Sequence, residues 1–413
     1  MLINRRTVLG GLGAGAAIAA SSSIGVAAPR LPFNATDKSY ALTPGLNGWL
    51  EIDRAVFAAN IRAVRRRLAP SVTLCVVLKA DAYGHGIGLL MPAVIAERVP
   101  VIGITSNDEA HVARARGFTG KVVRIRTAEI EEIKAGFAFD LEESIGNLDL
   151  LRQAAAEARR RGRRLRVHFM LNSAGMSRNG MELSTEQGRK DALAFVKTEG
   201  VEIVGLMTHF PEENTEDCCR GVARFKADCE WLVKATRLDQ DRIILHAANS
   251  FAALNVPEAH FDMVRTGQAL YGILHPQTPD LPPILTFKSR VAAVNPYPKG
   301  NTISYDRTVT LTRDSLLANI PVGYSDGYSR RLSNQADVLI RGRRARVMGR
   351  VTMNTIMVDV TDIPGAVSGD DVVLFGRQGD DDITQVEIER MTENFLPAET
   401  TLWGNSLPKI LKR

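Results

Sequence analysis

The sequence predicts an α/β protein, a (β/α)8 barrel over residues 46–285 followed by a mostly β domain over 286–413. Three observations carry that expectation. Between about residues 50 and 285, eight short apolar runs alternate with longer amphipathic stretches, as in a parallel sheet whose strands are joined by helices. Polar residues gather where those runs end, the place where such barrels keep their chemistry. After Pro282-Pro283 the texture changes to short strand-like runs separated by turn residues. A doubly wound open sheet would give the same alternation, and the convergence of the polar residues favours the barrel.

The start of the chain reads as an export signal over residues 1–28. Asn4-Arg5-Arg6-Thr7 precedes an apolar, Gly/Ala-rich stretch from 9 to 20, and small residues then lead to a cleavage point after Ala28. The adjacent arginines fit the twin-arginine route; the general secretory route shares a basic start and stays open. Either implies the periplasm, with residues 29–45 as a linker. Removing the signal takes away Arg5 and Arg6 and lowers the formal charge of +6 by two, too mild a balance for a nucleic-acid partner. No later apolar run is long enough to span a membrane, so none is expected once the signal is cut. The dense basic run at 159–164 reads as a solvated helix end, with Gly162 suited to the cap. The four cysteines, Cys75, Cys218, Cys219 and Cys229, lack metal-ligand spacing, and no metal is expected.

The eight barrel strands are expected at 74–78, 101–104, 121–126, 137–141, 165–171, 201–207, 243–246 and 261–265. Helices are expected at 54–68, 107–116, 142–161 and 215–236. Lys79 stands where the first, fully apolar run emerges. Burial disfavours an ammonium ion, so such an amine can be nucleophilic near neutral pH and can condense with an aldehyde; the alternative is a lysine reaching from a strand end into solvent. Asn172 and Arg178 follow the fifth run, His209 the sixth, Asn249-Ser250 the seventh, and Arg265-Thr266-Gly267-Gln268 the eighth. Ser250, at the apparent start of a helix, can bind an anion or simply cap that helix. Together these residues describe a phosphate and an aromatic ring placed beside a reactive lysine.

Lys79-Ala-Asp-Ala-Tyr-Gly-His-Gly86, His246-Ala-Ala-Asn-Ser250 and Val264-Arg-Thr-Gly-Gln-Ala-Leu-Tyr-Gly272 closely resemble segments of the alanine racemase family, and the likeness extends over about residues 45–411. The resemblance implies pyridoxal 5'-phosphate on Lys79, with Tyr83, Ser250, Gly267 and Gln268 at its phosphate. It also implies His209 packed on the ring and Arg265 facing the ring nitrogen. A permanently charged arginine there keeps that nitrogen unprotonated and makes the ring a poorer electron sink. Racemisation needs a proton removed from one face of the α-carbon and another delivered to the opposite face. The segment Ile303-Ser-Tyr305-Asp-Arg-Thr308 resembles the one carrying the family's second base, which places Tyr305 opposite Lys79 and implies a homodimer with shared sites. Arg178, Tyr324 and Met353 match substrate-side positions.

Three departures from ordinary alanine racemases suggest a wider site: Met170 in place of a lysine, Asn354 in place of Asp, and Ala174 as an added residue in the loop before Arg178. They are shared in part with the exported broad-specificity racemases. In those proteins a cysteine at the position of Cys75 is bridged to one in the next strand, where this chain reads Val99-Pro-Val-Ile102, so the bridge stays open. Trp403 stands near a phosphate-binding tyrosine of the family and receives no role. The expected activity is racemisation of free amino acids, lysine, arginine and alanine among them. The alternatives are an alanine-restricted racemase, a non-catalytic pyridoxal-phosphate barrel protein, which would lack a β domain and Tyr305, and a decarboxylase of the same fold, which would bring a cysteine from its β domain. In the β domain, strands are expected at 288–294, 308–312, 315–321, 336–340, 344–350, 356–360 and 371–374, with 49–52 as an added strand.

Overall fold

The computed structural model describes residues 45–274 and 278–412. The expected export signal, and the linker up to residue 44, lie outside the described residues. Gly48–Ile52 (β1) comes first. Eight parallel strands follow: Thr73–Val77 (β2), Val101–Ile104 (β3), Lys121–Arg124 (β4), Leu141–Ile145 (β5), Leu165–Met170 (β6), Val201–Met207 (β7), Ile244–His246 (β8) and Met263–Thr266 (β9). Each from β2 to β7 pairs with the next in the chain, and β2 also pairs with β9. Between β8 and β9 the ring is closed by Asp262 N–H donating to Leu245 O and Arg265 N–H to Ala248 O, both at 3.0 Å. A spatial order that follows chain order around a closed ring is that of a (β/α)8 barrel and excludes the doubly wound sheet, whose order reverses at a switch point.

The fourth barrel strand lies four residues beyond its expected place. Phe137–Phe139 is a 3₁₀ turn, and β5 carries Glu142 and Glu143, which the periodicity placed in a helix. Both carboxylates are buried inside the barrel wall because each has a basic partner: Arg124 Nε donates to Glu143 at 2.8 Å, and His168 lies 2.9 Å from Glu142. The helix that follows starts at Leu148, where Asn147 accepts from Leu150 N–H at 2.9 Å as an N-cap. The helix Thr215–Thr236 has the expected limits and is capped by Asn214.

β1 runs antiparallel to Leu285–Arg290 (β10) and parallel to Lys409–Leu411, so the run at 49–52 belongs to the C-terminal sheet as expected. That sheet continues from β10 through Asp371–Gln378 and Asp337–Ile340. The helix Leu396–Ser406 joins the two halves. A Cβ at Gly404 would overlap the carbonyl oxygen of Gly84, so backbone lies on backbone where the Lys79 segment meets this helix. Trp403 is buried between Phe287 and Phe375, with ring centroids 5.4 Å from each, and donates to Gly327 O at 3.1 Å. Its role is packing and turn-holding.

Candidate active site

Immediately after β2 the chain enters a left-handed turn. Ala80, Asp81, Ala82 and Tyr83 have φ of 54°, 51°, 58° and 54°, a conformation that costs L-residues about 1–2 kcal/mol each. Tertiary contacts hold it. Asp81 accepts from Ile87 N–H at 2.8 Å and pairs with Lys409 at 2.7 Å. Glu109, largely buried, accepts from Asp81 N–H at 3.2 Å and from Thr105 and Ser106 N–H at 2.7 and 3.1 Å. Glu109 and Lys409 were not among the expected site residues. The pattern Ser106-x-x-Glu109 announces a capping box, but only the fold brings the second carboxylate oxygen to the lysine turn.

The Lys79 side chain is half-buried, and its Nζ makes no hydrogen bond or ion pair among the described residues. It lies 5.6 Å from the centroid of the Tyr83 ring. Burial, and then Arg178 and Arg265, lower its pKa. Arg265 sits within β9, not after it, because the strand extends to Thr266. Its buried guanidinium lies 2.8 Å from His246 Nδ1 and 3.3 Å from His209 Nδ1, and donates to Thr208 O and Ala247 O at 3.0 Å each. Burial lowers the Arg265 pKa to about 10, which leaves it a cation near neutrality. Burial first, then Arg265, Arg178 and Lys79, hold His209 at about 3. His209 is therefore neutral, and with Nδ1 turned to a donor its proton is on Nε2.

Ser250 is the first residue of a short helix whose cap is Asn249, which accepts from Ala252 N–H at 2.9 Å. The Ser250 hydroxyl instead accepts from Gly267 N–H at 3.0 Å and Ala269 N–H at 3.3 Å, tying the last two barrel loops together. Gly267 lies against the Tyr83 phenol: a Cβ there would come within 2.8 Å of Cζ and overlap the hydroxyl. Gln268 opens the next turn. The loop carrying Arg178 is fastened by Asn172, which accepts from Ser177 N–H at 2.6 Å and donates to Glu182 at 2.7 Å. Met170, Asn172, Arg178, Thr208 and His209 line one small cleft.

Lys79, Tyr83, His209, Ser250, Arg265, Gly267, Gln268 and Arg178 thus gather at the C-terminal rim of the barrel. The other three expected residues stand apart. Tyr305 is 69% exposed, in a 3₁₀ turn after Ser304, and Tyr324 and Met353 are 43% and 55% exposed. Tyr324 N–H donates to Thr352 O and Ser325 N–H to Met353 O, both at 3.0 Å, so the latter two share a face of the C-terminal sheet region. Asn354 donates to the Ser325 hydroxyl at 2.7 Å. Cys75 is a free, buried thiol whose register partner in β3 is Val101, and that leaves it no cysteine to bridge there.

The rim chemistry fits a phosphorylated aldehyde. Among the described residues, Lys79 and Arg178 have no carboxylate partner, and Arg265 is bound only by neutral acceptors, so the site carries positive charge that an anion would neutralise. The Tyr83 phenol lies directly on Gly267, where any larger residue would displace it, so its hydroxyl stands beside the loop that the Ser250 hydroxyl ties down. The half-buried amine supplies the nucleophile.

Two family models cover nearly all of the described chain: the alanine racemase N-terminal domain matches residues 52–275 and the alanine racemase C-terminal domain matches 284–411. The chain is 53% identical over 370 residues to the broad specificity amino-acid racemase of Pseudomonas taetrolens, covering 90% of each. It is 41% identical to the lysine racemase of Proteus mirabilis, over 88% of this chain and 89% of that one. Among solved structures, the alanine racemase from D-cycloserine producing Streptomyces lavendulae superposes with a TM-score of 0.82 at 27% identity, over 90% of this chain and 98% of the other.

Proposed function

The chain belongs to the alanine racemase family and is a racemase, and from that premise we propose that it interconverts the enantiomers of free amino acids of broad scope, lysine, arginine and alanine among them, by a two-base mechanism at Lys79 and Tyr305. The observation that carries the reading is the Lys79 amine, half-buried at the barrel rim without an ion pair among the described residues, its pKa lowered by burial and then by Arg178 and Arg265. Pyridoxal 5'-phosphate, held by Lys79 with Tyr83, Ser250, Gly267 and Gln268 at its phosphate, supplies when bound an electron-withdrawing ring that acidifies the substrate's α-hydrogen. Lys79, kept towards the neutral form, accepts or returns a proton on one face. Arg265, which remains a cation, would face the ring nitrogen and would offer it no proton, which would limit electron withdrawal and favour return of the proton at carbon.

Tyr305 serves the opposite face from a second copy of the chain. Its exposure in one protomer supports this, since the described residues of its own chain leave most of the side chain open. Arg178 receives the substrate carboxylate, and Tyr324 and Met353 frame the entrance. The breadth of scope is supported by Met170 lining the cleft and by Asn354 at the mouth, both uncharged, and by the names of the relatives. Action in the periplasm, after export by the signal at 1–28, is part of the proposal. A panel of L-amino acids incubated with the purified protein and read by chiral chromatography tests it. Lysine and arginine are expected to lose optical activity along with alanine; loss confined to alanine defeats the broad scope.

A further inference from the structure

The barrel interior is apolar around Cys75, Val101, Val123 and Met263, yet a line of buried polar side chains crosses it. From Arg265 Nη1 it passes to His246 Nδ1 at 2.8 Å, from His246 Nε2 to His168 Nδ1 at 2.9 Å, and from His168 Nε2 to Glu142 Oε2 at 2.9 Å. Arg265 and His246 lie at the C-terminal rim. Glu142 lies near the start of β5, lining a cavity at the opposite mouth together with Lys121 and Arg166. Those two cations lie 3.9 and 4.0 Å from the other carboxylate oxygen, and with His168 and the buried Cys75 thiol they are the charged or titratable groups near it among the described residues.

The ends of the line dictate its middle. A guanidinium can only donate and a carboxylate can only accept. His246 Nδ1 must therefore accept and its Nε2 carry the proton; His168 Nδ1 must then accept and its Nε2 donate to Glu142. Both imidazoles are neutral and share one tautomer, with every bond pointing from Arg265 to Glu142. The wall is shaped to admit this. The pairing of β6 with β7 slips by one residue at His168, where Gly205 becomes its partner, and a Cβ at Gly205 would overlap His168 Nδ1. A buried polar line is costly unless complete, and an apolar interior would pack as well.

We propose that Glu142 is a positioning residue for the arginine at the cofactor's ring nitrogen, acting through His168 and His246 to fix the tautomer and aim of each group up to Arg265. The role rests on the reading of Arg265 given above. Among the seven histidines of the chain, ¹⁵N-labelled and observed by NMR in the cofactor-loaded protein, His168 and His246 are expected as Nε2–H tautomers. Glu142→Leu is expected to mix the tautomers and lower kcat about tenfold or more, with KM little changed, as misdirected groups outside the contact layer do. Glu142→Gln, whose amide oxygen can accept the same bond, recovers most of the loss. An Nδ1–H tautomer at either histidine in the native protein overturns the proposal, as does a Glu142→Leu protein with native kcat. Where Glu142→Leu fails to fold, the native tautomers decide alone. Borohydride reduction and peptide mapping report separately on Lys79: absence of a pyridoxyl adduct there sinks the proposed function, while the tautomers still judge the line from Arg265 to Glu142.

Discussion

The barrel rim and the Tyr305 face differ in how far one chain completes them. At the rim, Arg265, His209 and Ser250 are held by hydrogen bonds from several strands and loops, and Lys79 stands half-buried beside them. In the C-terminal region, Tyr305, Tyr324 and Met353 are exposed, the last two with backbone tied by hydrogen bonds from Tyr324 N–H to Thr352 O and from Ser325 N–H to Met353 O. The two proposed bases are therefore made ready in different ways. The Lys79 amine has its pKa lowered within its own fold, by burial first and then by Arg178 and Arg265. Tyr305 is largely exposed in its own chain, and on the proposed reading a second copy covers it.

The sharpest way to break this comparison is to divide the bases between chains. Lys79→Ala is expected to lower turnover by about 10⁴-fold or more and Tyr305→Phe by about 10²–10⁴-fold in at least one direction, the range for a lost acid–base or nucleophilic group. Tyr305→Phe should retain bound cofactor by visible absorbance. Co-expressed, the two variants are expected to recover a substantial fraction of native activity, because a mixed dimer holds one shared site with both groups intact. If the co-expressed variants remain as inactive as each alone, sharing between chains is wrong.

Gly404→Ala probes the seam between the regions. The added methyl has no room against the Gly84 carbonyl, so a loss of about 1–3 kcal/mol is expected from overpacking, read as a lower urea midpoint, with distortion of the Lys79 turn. A native midpoint would mean that the turn does not depend on the helix Leu396–Ser406.

The smallest effect sharpens the electrostatic side. In the folded chain His209 is held at about 3 and His85 at about 4, each chiefly by burial, against about 6.5 when unfolded. Between those values the unfolded chain binds more protons than the folded one. Their contribution is therefore constant above about pH 6.5, and stability falls as pH drops through 6 and 5. Urea unfolding of the cofactor-free protein at pH 7 and pH 5 checks it. The native chain should lose about 2 kcal/mol more over that interval than His209→Gln, which lacks one of the titrating groups. Equal losses would place His209 in a wetter setting than the rim provides.

Much of the barrel was legible because its strands are short apolar runs, and a buried parallel strand has little else to show. β5 was the exception. Glu142-Glu143 has the look of a solvent-facing helix start, and only Arg124 and His168, from neighbouring strands, make those carboxylates tolerable inside. The rim residues were legible as polar groups at strand ends. The contacts that hold them were not: Asp81 and Lys409 meet across most of the chain, and no local pattern announces such a pair.

The order of residues alone determined which groups are chemically available and which barrel loop, or which turn of the C-terminal region, carries each, because strand period and chain order are local properties of the polymer. Only the tertiary structure decided that four non-glycine residues after Lys79 turn left-handed, that Arg265 is met by two neutral imidazoles, and that Tyr305 stands largely exposed in its own chain. Those outcomes depend on burial and on partners distant along the chain. They exist only when the barrel closes and the C-terminal sheet is in place beside it.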